Sequence, residues 1–235
     1  MQRLFLHDWP VTKQEAYDIQ HDLAPKIIQH SNLNEPAVIA AVDTAYGFGG
    51  EKVYASAVLM SFPELEPLGR AAHWIEVDFP YIPGMFYFRE GEVMIMALAK
   101  LEMEADLIIV HGHGTAHPRG CGIAGMIGLE FDRPSIGCAR RLLIGTHRPV
   151  EEERGNSQPI QLRGREVGVA LRTKDGVKPL FVSPGHLCDQ EHSTDIIKRC
   201  LRGYRLPEPL RMAHALANRF KRMREQDRKK RPQRD

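Results

Sequence analysis

A chain of 235 residues, 43% hydrophobic and 26% charged, is long enough for one compact domain with a sizeable core and is not disordered by composition. No apolar run approaches bilayer length, the first ten residues lack a signal-peptide pattern, and Cys121, Cys138, Cys188 and Cys200 form no CxxC, so we expect no membrane span, no secretory leader and a reducing, cytoplasmic setting with idle thiols. The net charge of +2 is uneven: residues 219–235 hold nine Lys or Arg against three Asp or Glu, net +6, and the rest of the chain is net −4. That stretch is expected to be a basic tail, either a solvated helix end or a loose phosphate-attracting arm.

In chain order, residues 13–29 predict a helix with Ala16, Ile19, Leu23 and Ile27 on one face. The apolar segment 37–47 predicts a buried strand, Phe48, Gly49 and Gly50 a turn, and 52–61 a second strand that closes a hairpin. A third strand is expected at 73–79. Residues 80–84, PYIPG, must form a stiff irregular loop, because two prolines fix φ and each restricts the residue before it. A helix is expected over 88–104, a buried strand over 106–110, a His- and Gly-rich loop over 111–122 and a short helix over 123–129. A strand near 134–137 and another short helix follow. Residues 167–172 and 180–183 predict a late strand pair, 184–186 a turn, and 193–201 a helix; a last helix begins after Pro207. Three sequential strands followed by helix–strand alternation predict a mixed α/β sheet, with a single domain over 1–218 and the tail over 219–235.

Chemistry is expected where buried strands end. Asp43 interrupts an apolar strand, where a carboxylate is costly unless paired, hydrogen-bonded or on a metal; it could equally cap the turn that follows. Glu90 lies near a helix start, where the dipole favours an acid, and two carboxylates from separate elements could also hold Mg²⁺. The segment VHGHGTAHPR, 110–119, places His111, His113 and His117 among Gly112, Gly114 and Gly120. Such a cluster suits a metal or phosphate site, though its spacing is neither HExxH nor another zinc pattern.

Taken together, AVDTAYG at Asp43, PYIPGMFYFRE at 80–90, GHGTAHPR from Gly112, IGCARRLLIG at 136–145 and GYRLPEPLRMAHALA from Gly203 resemble the endonuclease V family, deoxyinosine 3′-endonucleases with an RNase H-like fold. The resemblance runs from about residue 10 to 220. It implies an RNase H-like mixed sheet, three antiparallel strands followed by parallel ones, flanked by helices. Asp43 and Glu90 would be metal carboxylates, and His117, Arg140 and His214 would stand near the scissile phosphate. Tyr81, with Pro80, Ile82 and Pro83, would wedge into DNA, and Gly84, Phe86, Gly112, Gly114, Gly122 and Ile123 would line a hypoxanthine pocket. The implied partner is DNA containing deoxyinosine, with inosine RNA as the other candidate, acted on by a monomer through a metal-activated water.

Two positions depart from the family pattern. His111 stands where the family has a third metal carboxylate, and Arg140 where it has Lys. The imidazole removes a negative charge from the centre, and a unit charge at about 4 Å is worth roughly 4 kcal/mol at an effective dielectric of about 20. Either His111 joins Asp43 and Glu90 as a ligand and shifts preference from Mg²⁺ toward Mn²⁺, or the protein binds lesions and cleaves poorly. A zinc-dependent hydrolase on His111, His113 and His117 is a third alternative.

Overall fold

The computed structural model describes residues 1–10, 12–30 and 35–230, the last three by backbone alone. One eight-stranded sheet carries the fold, in the order β3-β2-β1-β4-β5-β8-β7-β6. Strands β1 (Val38–Tyr46), β2 (Lys52–Ser61) and β3 (Pro67–Glu76) are antiparallel. Beside β1, β4 (Leu107–Val110) and β5 (Ser135–Ala139) run parallel to it. Strands β8 (Leu180–Pro184), β7 (Arg165–Leu171) and β6 (Ser157–Leu162) return to antiparallel pairing.

Helices cover both faces, which is why β4 and β5 are apolar throughout and buried. On one face α1 (Lys13–Leu23), α2 (Phe86–Ala99) and α3 (Ile123–Phe131) pack with Ala40 and Val42 of β1. On the other, α4 (Gln190–Arg199) and α5 (Glu208–Lys230) pack with Ile39 and Ala41. The two-residue period of β1 therefore sends odd positions toward α5 and even positions toward α2. That alternation continues past the core and decides where Asp43, Thr44 and Tyr46 point.

Several expected boundaries move for identifiable reasons. The first helix stops at Leu23 and tightens into a 3-10 turn, Ala24–Lys26, because Pro25 cannot continue it. The third strand lies earlier than expected, since its half-exposed residues show little apolar contrast. Helix α2 starts two residues sooner and ends at Ala99 rather than 104. No helix follows β5, and the edge strand β6, carrying Pro159 and two Gln, was not expected at all. Helix α5 continues through position 218 without a break, with Phe220 edge-on to Tyr54 and the Arg224 guanidinium over Trp74. No described helix is long and apolar enough to cross a membrane, and all four cysteines are free and buried.

Candidate active site

Asp43 is the sixth residue of β1 and almost fully buried. As an odd position it faces α5, where His214 Nδ1 meets its Oδ2 at 2.8 Å. His111 follows β4 directly, and its Nδ1 meets the other oxygen, Oδ1, at 2.6 Å. Thr44 N–H donates to the same Oδ1 at 2.7 Å. Burial alone would raise the Asp43 carboxyl, but the hydrogen bonds from His111 and His214 overcome it and hold the pKa at about 2. An ionised carboxylate only accepts, so both imidazoles donate through Nδ1–H.

Glu90, on α2, is equally buried and comes from the opposite face of β1. The even-numbered side chains meet it: the hydroxyls of Thr44 and Tyr46 donate to its two oxygens. Desolvation drives its pKa up to about 7, against the pull of those two donors, and the Asp43 charge adds to the rise. Thr44 and Tyr46 escaped the sequence reading, although they lie one and three positions after Asp43, where strand alternation puts them on the other side.

Beside this centre lies a cavity of about 360 Å³. Gly84, Phe86, Gly112, Gly122 and Ile123, the residues that the resemblance put around a pocket, line it together with Tyr81, Ile82, Pro83, His111, His117 and Arg140, to which it gave other roles, and with the unanticipated Gln20, Tyr87, His113 and Arg141. Tyr81 is 68% exposed at the mouth. Pro80 is exposed but does not line the cavity. Gly114 does not line it either: a Cβ there would overlap the Pro184 carbonyl, so this glycine is required by backbone packing.

The three loop histidines diverge. His113 Nε2–H donates to the Arg141 carbonyl at 2.9 Å, His117 Nε2–H donates to the Gly84 carbonyl at 2.8 Å, and His111 is on Asp43. The histidine-only zinc site is therefore not assembled. His117 Nδ1 accepts from Arg119 N–H and Cys121 N–H, both at 3.3 Å, and burial lowers its pKa to about 4. Both nitrogens are thus spent on backbone, and the side chain works as a strut. Gln20 Nε2 and Arg119 Nη2 also donate to Gly84 O, at 3.1 and 2.5 Å, and Arg119 Nε reaches Gln20 Oε1 at 2.7 Å. This knot joins the PYIPG loop, α1 and the HPR segment at one carbonyl.

A family model described as Endonuclease V matches residues 21–215. The chain belongs to the endonuclease V family. It is 44% identical over 218 residues to an endonuclease V of Roseiflexus sp. (strain RS-1), a match covering 93% of this chain and 97% of that protein. It superposes on the crystal structure of endonuclease V from Streptomyces avermitilis with a TM-score of 0.87 at 35% identity, over 92% of this chain and 96% of that one. It also superposes on Ciona intestinalis endonuclease V in complex with a 23mer DNA containing an inosine followed by a ribo-adenosine, with a TM-score of 0.78 at 25% identity, covering 91% and 99%. The fold is RNase H-like, and the family is one of metal-dependent nucleases.

Against that family property, the donors around Asp43 do not fit a ready-made Mg²⁺ site. Both Asp43 oxygens are taken by imidazoles and both Glu90 oxygens by hydroxyls. Among the described residues no three His, Cys, Asp or Glu side chains are placed to hold one ion. The set of two carboxylates with an imidazole also departs from the all-oxygen shell Mg²⁺ prefers.

Proposed function

We propose that this endonuclease V family member recognises deoxyinosine in DNA and hydrolyses a phosphodiester on the 3′ side of the lesion, leaving 3′-hydroxyl and 5′-phosphate ends. The observation that carries the proposal is a shared residue: His111 lines the 360 Å³ cavity and also bonds Asp43. A base held in the cavity therefore brings its flanking backbone to the carboxylates. The family standing and the inosine-containing DNA bound by the Ciona relative support the same substrate.

In this reading Tyr81, stiffened by Pro80, Ile82 and Pro83, fills the space a departing base leaves in the stack. Gly84, Phe86, Gly112, Gly122 and Ile123 enclose the extruded hypoxanthine, and backbone groups there read its amide-like edge. Gly114 acts by shaping that wall from behind. Arg140 and His214 face the phosphate, Arg140 contributing a permanent charge in a planar fork. His117 positions Gly84. Asp43, Glu90 and His111 would hold the metal only once the imidazoles and hydroxyls now on the two carboxylates give way, and their donor types favour Mn²⁺ over Mg²⁺. Inosine RNA is the competing substrate, and a cytoplasmic monomer is the setting we propose.

One oligonucleotide with a single inosine, incubated with Mg²⁺ and separately with Mn²⁺, tests this directly. Incision 3′ to the inosine is expected, stronger with Mn²⁺; no product from inosine DNA or RNA with any divalent ion would reject it. A second reading, a lesion-binding protein that cleaves poorly, is favoured by the two imidazoles closed on Asp43. It predicts tight binding to inosine DNA that Tyr81→Ala abolishes, without products.

A further inference from the structure

The described residue that exposes its apolar side chain most fully is Phe48, at 102%, well above Tyr81 at 68%. It tops the turn between β1 and β2, followed by Gly49 and Gly50 at φ +81° and +79°. A single exposed phenyl ring is unremarkable on a surface. The backbone that carries this one is fastened in place. Its N–H donates to Glu225 Oε1 of α5 at 3.2 Å. Arg89 donates through Nη2 to Gly50 O at 2.6 Å and through Nη1 to Phe79 O, so one guanidinium ties this turn to the loop that carries Tyr81.

The α5 contacts define a direction. His214 points at Asp43 and Glu225 at the Phe48 backbone, so one helix face is pinned to β1 at one end and to the turn after it at the other. Residues 214, 218, 221, 222 and 225 recur at the three- and four-residue spacing of a single face. Eleven helical residues span about 16 Å, and the five strand positions from Asp43 to Phe48 span about 16 Å as well. Lys221 and Arg222 therefore lie between the carboxylates and the exposed ring. Neither has an ion-pair partner among the described residues.

We propose that this strip, Lys221 and Arg222 on α5 with Phe48 at its far end, is a second contact surface for the nucleic acid, taking phosphates on the two cations and the sugar face of the same backbone on the ring. Contacts to phosphate and sugar fix a protein's register on a duplex without reading its sequence, which is what two cations and a ring along one line can supply. At about 3.4 Å per step, the strip reaches about five base steps from Asp43. The proposal rests on the substrate being nucleic acid, as argued above, and makes the basic stretch of α5 part of the substrate path.

The test is fluorescence anisotropy without divalent ions, on labelled duplexes with and without one inosine, over a series of salt concentrations. Phe48→Ala is expected to weaken binding of both duplexes about tenfold. The double variant Lys221→Ala/Arg222→Ala is expected to flatten the log K against log [salt] slope by nearly two. Phe48→Trp supplies a direct signal, since its emission should shift as the sugar backbone packs on it and excludes water. Both alanine variants matching the parent in affinity and slope, with the Phe48→Trp emission unmoved, would overturn the surface. Equal affinity of the parent for the two duplexes would count against inosine recognition alone, because plain duplex still scores the strip. Failure of the parent to bind either duplex would overturn both.

Discussion

The two ends of the cavity are built differently. At the Gly84 end three donors from three parts of the chain, Gln20, His117 and Arg119, converge on one backbone carbonyl, and both Gln20 and His117 are buried. At the Asp43 end the gripping groups are two imidazoles that keep 21% and 37% of their side-chain surface in solvent. A main-chain acceptor held by buried donors cannot exchange partners without opening the core. A carboxylate held by half-open imidazoles can. One end fixes shape, and the other is where partners can be traded.

The sharpest way to break that contrast is at Gly114, which the family resemblance assigns to the pocket and the structure assigns to packing. Gly114→Ala would drive a methyl into the Pro184 carbonyl, costing about 3 kcal/mol or more in stability. Urea unfolding should show that loss; a stable variant with altered base preference would restore Gly114 to the pocket wall. Next in size is the acid sensitivity of His117. Its imidazole stays neutral in the folded chain down to about pH 4, whereas an exposed imidazole takes a proton below 6.5. The unfolded state thus binds the extra proton first. The stabilisation is complete above pH 6.5 and falls by up to about 3 kcal/mol as pH drops toward 4. Unfolding across that window should steepen for the parent relative to His117→Gln, and parallel curves would remove His117 from the fixed end.

Gln20→Ala is smaller. It withdraws donors from Gly84 O and Cys121 O and leaves Arg119 Nε without its acceptor. About 2 kcal/mol of stability should be lost, with KM for inosine DNA raised more than kcat is lowered. A loss confined to kcat would mean that the knot serves the chemistry rather than the pocket's shape.

Much of this was legible in the sequence because strand logic is local. The run AVIAAVDTAYG marked the buried central strand, though not the side to which Asp43 turns, and PYIPG announced a stiff loop through its prolines. Edge strand β6 was not legible: Ser157–Leu162 has one buried residue, Ile160, and owes its pairing to β7. Nor was the role of Gln20, since a polar residue on an amphipathic helix gives no sign that a loop 64 positions away will lay its carbonyl there. His117 shows the same limit in reverse. Its residue type suggested phosphate chemistry, and only tertiary contacts reveal both nitrogens bound to backbone.

The finest test of the contrast lies at His111, where the expected effect is about tenfold, or 1.4 kcal/mol. His111→Asp removes one of the two imidazoles from Asp43 and sets a second carboxylate beside the first. Without a divalent ion the like charges repel, and melting should fall below that of the parent. With Mg²⁺ the all-oxygen set becomes the better host, so the variant should gain more thermal stability from Mg²⁺ than the parent does. Incision with Mg²⁺ should rise about tenfold, while the advantage of Mn²⁺ narrows. His111 also lines the cavity, so without metal the added negative charge should weaken affinity for inosine duplex as well. If Mg²⁺ neither raises the variant's melting temperature nor speeds its incision, the imidazole is not what sets the ion preference, and the exchangeable end of the cavity must be sought in Glu90 and the hydroxyls of Thr44 and Tyr46.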